Sequence, residues 1–231
     1  MGKPSEYFQR VMASGEPQLR EVGTGPWTEE HPGEPLPQDA KYDPELLETG
    51  DRRNVLDKYR YWKVQAIKDD LDLSGRNEFE VLIENWTHDF NIGSIVRTAN
   101  AFAAAKVHMV GPHKWNRKGA LMTELYQHIE YHPSIKDFHA GFSQKYASVS
   151  DRPRLIAMDI VPGAQPIERY AFPKRCILMF GAEGPGLSEK ALEIAHDVVY
   201  ISQFGSVRSI NAGAAAAVSM HAWMMQHAQI S

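Results

Sequence analysis

From residue 79 onward the chain carries short apolar runs, four or five residues each, interspersed with stretches of helical spacing. The runs are Phe79–Ile83, Val107–Val110, Leu155–Met158, Cys176–Phe180 and Val198–Ile201, with His128–His132 as a weaker, more polar member. Cys176–Phe180 reads Cys-Ile-Leu-Met-Phe, apolar at every position and not at alternate ones. A strand apolar on both faces must be covered on both, the condition of a parallel sheet between helical layers. Helical patterns at Ile92–Ala105, Ile135–Ala147, Ser188–His196 and Asn211–Gln229 supply those layers. The expectation is an α/β domain over residues 77–231, with a mostly parallel sheet flanked by helices.

Residues 1–76 have a different composition. They hold 7 of the 14 prolines and 15 acidic against 11 basic side chains, so the whole net charge of -4 belongs to them. Residues 77–231 carry 14 of each sign and are neutral. Gly23–Asp43, with its Gly-Pro, His-Pro-Gly, Glu-Pro and Leu-Pro steps, reads as an irregular arm without a core of its own. One helix is expected near residues 54–70, with Asn54 as N-cap and a basic, solvated face. The expectation for 1–76 is thus an irregular and partly helical N-terminal extension.

Composition also excludes several classes. A single cysteine, Cys176, cannot form an internal disulfide or a multi-cysteine zinc site, and the expected setting is a reducing, cytoplasmic one. The first residues lack an apolar signal-peptide core, and no run approaches the roughly 18 apolar residues of a membrane span. No membrane partner is expected. A pI of about 6.2 argues mildly against nucleic acid, but that average mixes two unlike parts.

Three segments combine polar and glycine chemistry at strand ends, where open α/β sheets gather their ligands. Glu84–Ala99 follows the first strand and places Asn91 before a helix that carries Gly93 and Arg97 one turn apart. There Gly93 leaves room for a ligand or for a second backbone. Gly181-Ala182-Glu183-Gly184-Pro185-Gly186-Leu187-Ser188 follows Cys176–Phe180 and matches neither a P-loop nor the dinucleotide fingerprint. Ser202–Asn211 leads into Ala212–Ala217, a run of small side chains that lets another backbone pack closely. Ordinary caps and turns explain each segment alone.

Their conjunction and order, Asn-x₅-Arg, then Gly-x-Glu-Gly-x-Gly-Leu, then Ser-x-Asn, resembles the three motifs of the TrmH/SpoU family of the SPOUT superfamily, over roughly residues 79–229. Ser209-Ile210-Asn211 departs from the common Ser-Leu-Asn only in the middle residue. The resemblance implies a C-terminal trefoil knot, a homodimer, and methyl transfer from S-adenosylmethionine (SAM) to a ribose 2′-hydroxyl of RNA. It implies Arg97, Asn91, Glu183, Ser209 and Asn211 as catalytic-site residues. Gly181, Ile201, Ile210 and Ser209 would hold the cofactor. Arg97, Lys114, Arg117, Lys118 and Arg208 are the candidate RNA-binding cations. Residues 1–76 do not fit the ribosomal-protein-like module of many rRNA-directed relatives, so tRNA is favoured over rRNA. The alternative is a non-catalytic RNA-binding or ribosome-assembly protein that keeps the fold.

His128, Glu130 and His132 alternate along one strand and could face one way. The spacing is wrong for the helical zinc motif, so a polar strand face without metal is the expected reading. Cys176 opens a buried strand and reads as an inert core thiol.

Overall fold

The computed structural model describes residues 5–15, 22–86 and 91–228. The chain divides into two compact units between Tyr61 and Trp62.

Among the described residues the first unit has three α-helices, α1 (Glu6–Ala13), α2 (Trp27–Glu30) and α3 (Pro44–Thr49). Ser5 caps α1 by accepting a hydrogen bond from the Phe8 amide, and Asp43 caps α3 just ahead of Pro44. Contrary to the sequence-based expectation, the arm has an organised nucleus. It is polar and aromatic, which an aliphatic periodicity does not reveal. Asp51 is fully buried and accepts hydrogen bonds from the Arg53 guanidinium at 2.8 and 2.6 Å and from the Arg53 and Tyr61 amides. The Tyr61 hydroxyl donates to the Gly25 carbonyl, and the Trp27 ring stacks on His31 and meets Tyr42 and Tyr61 edge-on.

The helix expected near residues 54–70 is two pieces, a 3₁₀ turn at Asp57–Tyr59 and α4 (Val64–Leu73). Tyr61 separates them with φ of 62°, outside the right-handed helical region. The break coincides with the division between the units, so α4 belongs to the second.

The second unit alternates strands and helices: β1 (Asn77–Glu84), α5 (Ile92–Ala101), β2 (Ala104–Val110), β3 (Ile129–His132), α6 (Ile135–Lys145), β4 (Arg154–Met158), β5 (Gln165–Pro166), β6 (Cys176–Phe180), α7 (Glu189–Ile194), β7 (Asp197–Tyr200) and α8 (Ala212–His227). The strands form one seven-stranded sheet in the order β3-β2-β1-β6-β4-β7-β5, and every pairing is parallel. Helices α5 and α8 cover one face, with Ile92, Ile95, Val96, Met220 and Trp223 packed against Phe79, Val81, Ile83 and Phe180. Helices α6 and α7 cover the other, with Phe138, Phe142 and Ala191 against Leu82, Leu155, Ile177 and Met179. Burial on both faces is what the unbroken apolar runs require.

Helix α5 ends earlier than its periodicity suggests, because Ala103 takes a left-handed φ of 48° and turns the chain into β2. Strand β5, two residues ending in a proline at the sheet edge, is too short to leave a periodic signal. The last residues of the helix expected to reach Gln229 lie outside the described residues.

Candidate active site

A wholly parallel sheet has all its strand C-termini along one side. β1, β6 and β7 therefore deliver the three polar segments to the same side. Thr87–Phe90 of the first segment lie outside the described residues.

Asn91 stands at the start of α5, Glu183 in the loop after β6, and Asn211 at the N-cap of α8. The Asn211 side-chain amide donates to Asn91 Oδ1 at 2.7 Å, and the Asn91 amide donates to Glu183 Oε2 at 2.7 Å. Asn211 Oδ1 accepts the Ala214 amide and closes the first turn of α8. One asparagine thus links its own segment to two others, 92 and 120 residues further along the chain. Gly213 lies against this junction. A Cβ there would lie 3.2–3.5 Å from Asn211 Oδ1, the Ser94 side chain and Asn91 Oδ1.

Arg97 projects from the exposed side of α5, and its guanidinium makes no hydrogen bond or ion pair among the described residues. Gly93, one turn earlier, admits a second backbone: a Cβ would meet the Ala120 nitrogen at 2.8 Å, the Gly119 Cα at 2.9 Å and the Asn116 carbonyl at 3.0 Å. Those atoms belong to the 3₁₀ turn at Arg117–Ala120, capped by Asn116. Arg117 and Lys118 are exposed there, with the Arg117 guanidinium 6.0 Å from the Trp115 ring centroid, and Lys114 is exposed just before them. The close backbone approach brings this basic turn against the helix of Arg97.

The glycine loop is fastened at both ends. Ala182 and Gly186 exchange backbone hydrogen bonds, and a Cβ on Gly181 would lie 2.0 Å from the Gly186 carbonyl carbon, so only glycine fits. Two carboxylates then hold its exit. Asp159 Oδ2, at the end of β4, accepts the Leu187 amide at 2.8 Å. Glu84, fully buried at the end of β1, accepts from the Ser188 amide (2.7 Å), the Ser188 hydroxyl (2.8 Å) and the Trp86 indole (2.8 Å). Ser188 Oγ in turn caps α7 by accepting the Ala191 amide.

In the third segment Ile201 is half-buried against the core, while Arg208, Ser209 and Ile210 are exposed. Glu168 accepts from the Ser202 amide and hydroxyl. Hydrogen bonds from its own amide and from Ser202 hold its carboxyl below the usual range, so the segment is tied at its root to an ionised group. Beyond Ser202, no backbone hydrogen bond engages Gln203–Ile210 among the described residues. Gln203 Oε1 is buried there without a partner.

The structure therefore joins Asn91, Glu183 and Asn211 directly and sets Arg97, Arg117 and Lys118 along one packed junction. Ser209 and Arg208 stay on an exposed loop with no described contact to the others. Sequence reasoning missed Glu84, Asp159 and Glu168. The signal for Glu84 and Asp159 is an acidic residue at or just beyond the end of a buried strand, where a charge needs amide partners, whereas Glu168 follows the short edge strand β5 and has no such signal.

The profile of the SpoU rRNA Methylase family matches residues 78–221. The tRNA (guanosine(18)-2'-O)-methyltransferase of Thermus thermophilus is 26% identical over 155 residues, covering 61% of this chain and 71% of that protein. The enzyme of the same name from Escherichia coli K12 is 22% identical over 147 residues, covering 62% of each. Among solved structures, the SpoU methyltransferase AviRb from Streptomyces viridochromogenes in complex with the cofactor AdoMet superposes with a TM-score of 0.59 at 25% identity. That match covers 65% of this chain and 58% of AviRb. The A. aeolicus TrmH/SpoU tRNA modifying enzyme, at 17% identity, shares the fold with a TM-score of 0.59 over 71% of this chain and 81% of its own. The matched region begins one residue into β1 and runs into α8, taking in the parallel sheet and all three segments joined through Asn91, and on this ground the chain belongs to the SpoU rRNA methylase family.

Proposed function

We propose that this protein transfers a methyl group from SAM to a ribose 2′-hydroxyl of RNA, with tRNA as the substrate class. The observation that carries the reading is the Asn211–Asn91–Glu183 chain of hydrogen bonds, which assembles three distant segments at one side of a parallel sheet. The names of the two curated relatives support tRNA, and the AviRb complex supports the cofactor.

The residues present suit an adenosine. The unengaged backbone of Gln203–Ile210 and the buried, unpartnered Gln203 oxygen supply amide donors and an acceptor of the kind a purine ring needs. Ile201 and Ile210 supply apolar surface, and Gly181 keeps the loop after β6 tightly closed. When bound, SAM supplies a methyl group already activated by its sulfonium, so the protein's tasks are alignment and charge stabilisation.

Arg97 is the catalytic residue in this reading. A guanidinium stays charged in proteins, so Arg97 orients the phosphate and stabilises the developing alkoxide without accepting a proton. Asn91 has its amide on Glu183 and its carbonyl on Asn211, and so acts as a positioning residue rather than a direct partner of Arg97. Ser209 and Arg208 meet substrate from their exposed loop, and Lys114, Arg117 and Lys118 extend the cationic surface from Arg97.

The trefoil knot goes with this reading, and the sheet order, in which β6 enters between β1 and β4, is compatible with it. A homodimer goes with it too, and exposed Val218 and Met225 on α8 offer apolar surface for a second copy. No helix of the described residues is long and apolar enough to cross a membrane, and a cytoplasmic setting is part of the proposal.

The test is transfer of labelled methyl from SAM to total RNA, followed by separation of tRNA and nuclease mapping of the modified ribose. Label in a tRNA ribose supports the proposal. Binding of SAM without transfer to any RNA overturns it in favour of a non-catalytic RNA-binding protein. Arg97→Lys is expected to lose activity, since an ammonium lacks the planar fork.

A further inference from the structure

On the sheet face covered by α6, opposite α5 and α8, a second polar cluster sits where β1, β2 and β3 run side by side. The parallel register sets Leu82 beside His108, His108 beside Glu130, and Val110 beside His132. His108, Glu130 and His132 therefore point to the same face as Glu80. His108 Nδ1 and His132 Nε2 face each other at 2.9 Å, and Glu130 Oε1 lies 3.8 Å from His132 Nε2. His108 and Glu130 each offer one ligand atom to that space alongside His132, and all three atoms lie within 4.8 Å of one another.

We propose that His108, His132 and Glu130 bind a divalent transition metal of the zinc class. Two imidazoles and one carboxylate suit zinc over magnesium or calcium, which take oxygen donors. Three protein ligands leave a fourth tetrahedral position for water, on the side where Glu130 is exposed.

The surroundings are those of a built site. Glu80 Oε2 lies 2.5 Å from His108 Nε2, the nitrogen turned away from the cluster. An N–H on Nε2 pointing at that carboxylate leaves Nδ1 with its lone pair toward His132, the carboxylate–histidine–metal arrangement that fixes a ligand's tautomer. Phe138 of α6 meets both rings at steep angles, with centroids 5.1 and 5.3 Å away, and limits their rotation. Lys106 occupies Glu130 Oε2 at 2.6 Å and leaves Oε1 for the ion. Its charge opposes a cation, so the site is weaker than it would be with a neutral residue at 106.

The sequence pattern pointed to His128 as the third member of this set. The structure instead pairs His128 with Asp72 at 2.9 Å, and the place is taken by His108 from the neighbouring strand. A metal here would clamp the four-residue edge strand β3 to β2, and it does not touch the residues assigned to methyl transfer.

The experiment is calorimetric titration of Zn²⁺ into the chelator-treated full chain, with Co²⁺ absorption as a second readout. The expected result is one ion per chain and visible bands of four-coordinate cobalt. Exposed Glu130→Gln and half-buried His132→Gln, checked for folding by circular dichroism, should each lose the site. Glu80→Gln should weaken binding about 10- to 100-fold as a positioning change, and Lys106→Met should tighten it. Absence of stoichiometric binding, or binding unchanged in folded His132→Gln or Glu130→Gln, overturns the proposal and leaves a metal-free histidine network.

Discussion

Replacement of Glu84 by Gln tests whether the loop after β6 is held from β1. The two carboxylate oxygens accept three hydrogen bonds, Oε1 from the Trp86 indole and the Ser188 hydroxyl, and Oε2 from the Ser188 amide. A Gln side chain has one acceptor oxygen and one donor nitrogen. With nitrogen in the Oε2 place, it meets the Ser188 N–H donor to donor. With nitrogen in the Oε1 place, the hydroxyl can turn to accept but the indole N–H cannot. Either placement forfeits one bond to a charged acceptor, worth about 1.5–3 kcal/mol, and reduces the surviving bonds to neutral strength, about 1 kcal/mol less each. Burial of an amide is less costly than burial of a carboxylate, which offsets part of the loss. The net expectation is about 2–3 kcal/mol, or a fall in Tm of about 4–12 °C at the 2–4 °C per kcal/mol of a chain this long. Because Ser188 also caps α7 and closes the Gly181–Ser188 loop, SAM affinity should fall with it. Thermal unfolding and calorimetric SAM titration read the two effects. A variant within about 0.5 kcal/mol of the parent that binds SAM equally well would refute the reasoning, since the loop would then hold its shape without Glu84.

Three more expectations follow from buried groups. Asp51→Asn should destabilise the first unit by about 3–5 kcal/mol, the cost of breaking a buried ion pair, as read by urea unfolding. Burial raises the Asp51 carboxyl, but hydrogen bonds from Arg53 and Tyr61 outweigh it and hold it below the reference 3.8, so its stabilisation is present above about pH 4 and is lost as pH falls through the lower folded value. Gly93→Ala should lower Tm despite a helix-propensity gain of about 1 kcal/mol, because the new methyl meets backbone on three sides and overpacking costs about 1–3 kcal/mol. Cys176, whose thiol is pushed up to about 12 by burial and by the charge of Glu80, should resist a thiol reagent at pH 8 until the protein unfolds.

The sheet was legible because its strands are apolar on both faces. Cys176–Phe180 is a strand at the residues its pattern indicated, and the other runs shift by one to three residues at their ends. The site is legible as a set of motifs, since Asn91, Glu183 and Asn211 each stand in one of them. What no linear pattern carries is pairing across strands. Glu84 and Ser188 are 104 residues apart, and His108 and His132 meet only because β2 and β3 are parallel in that register. The polar nucleus around Asp51 escaped for a related reason: it is built from one carboxylate, one guanidinium, two backbone amides and aromatic rings, none of which has a period.

Charge gives the remaining step between fold and partner. The acidic excess lies in residues 1–76, so the unit that carries the candidate site must attract RNA by placement of its cations and not by their number. Gly93 and Gly119 let α5 and the Arg117–Ala120 turn approach at backbone contact, and this sets the exposed Arg117 and Lys118 against the helix that carries Arg97. A local cluster of this kind contributes phosphate contacts, each adding to the salt dependence of binding, even where the whole domain is neutral. Two glycines with no chemistry of their own thus set how closely these cations gather on a neutral domain, which the whole-chain pI does not report.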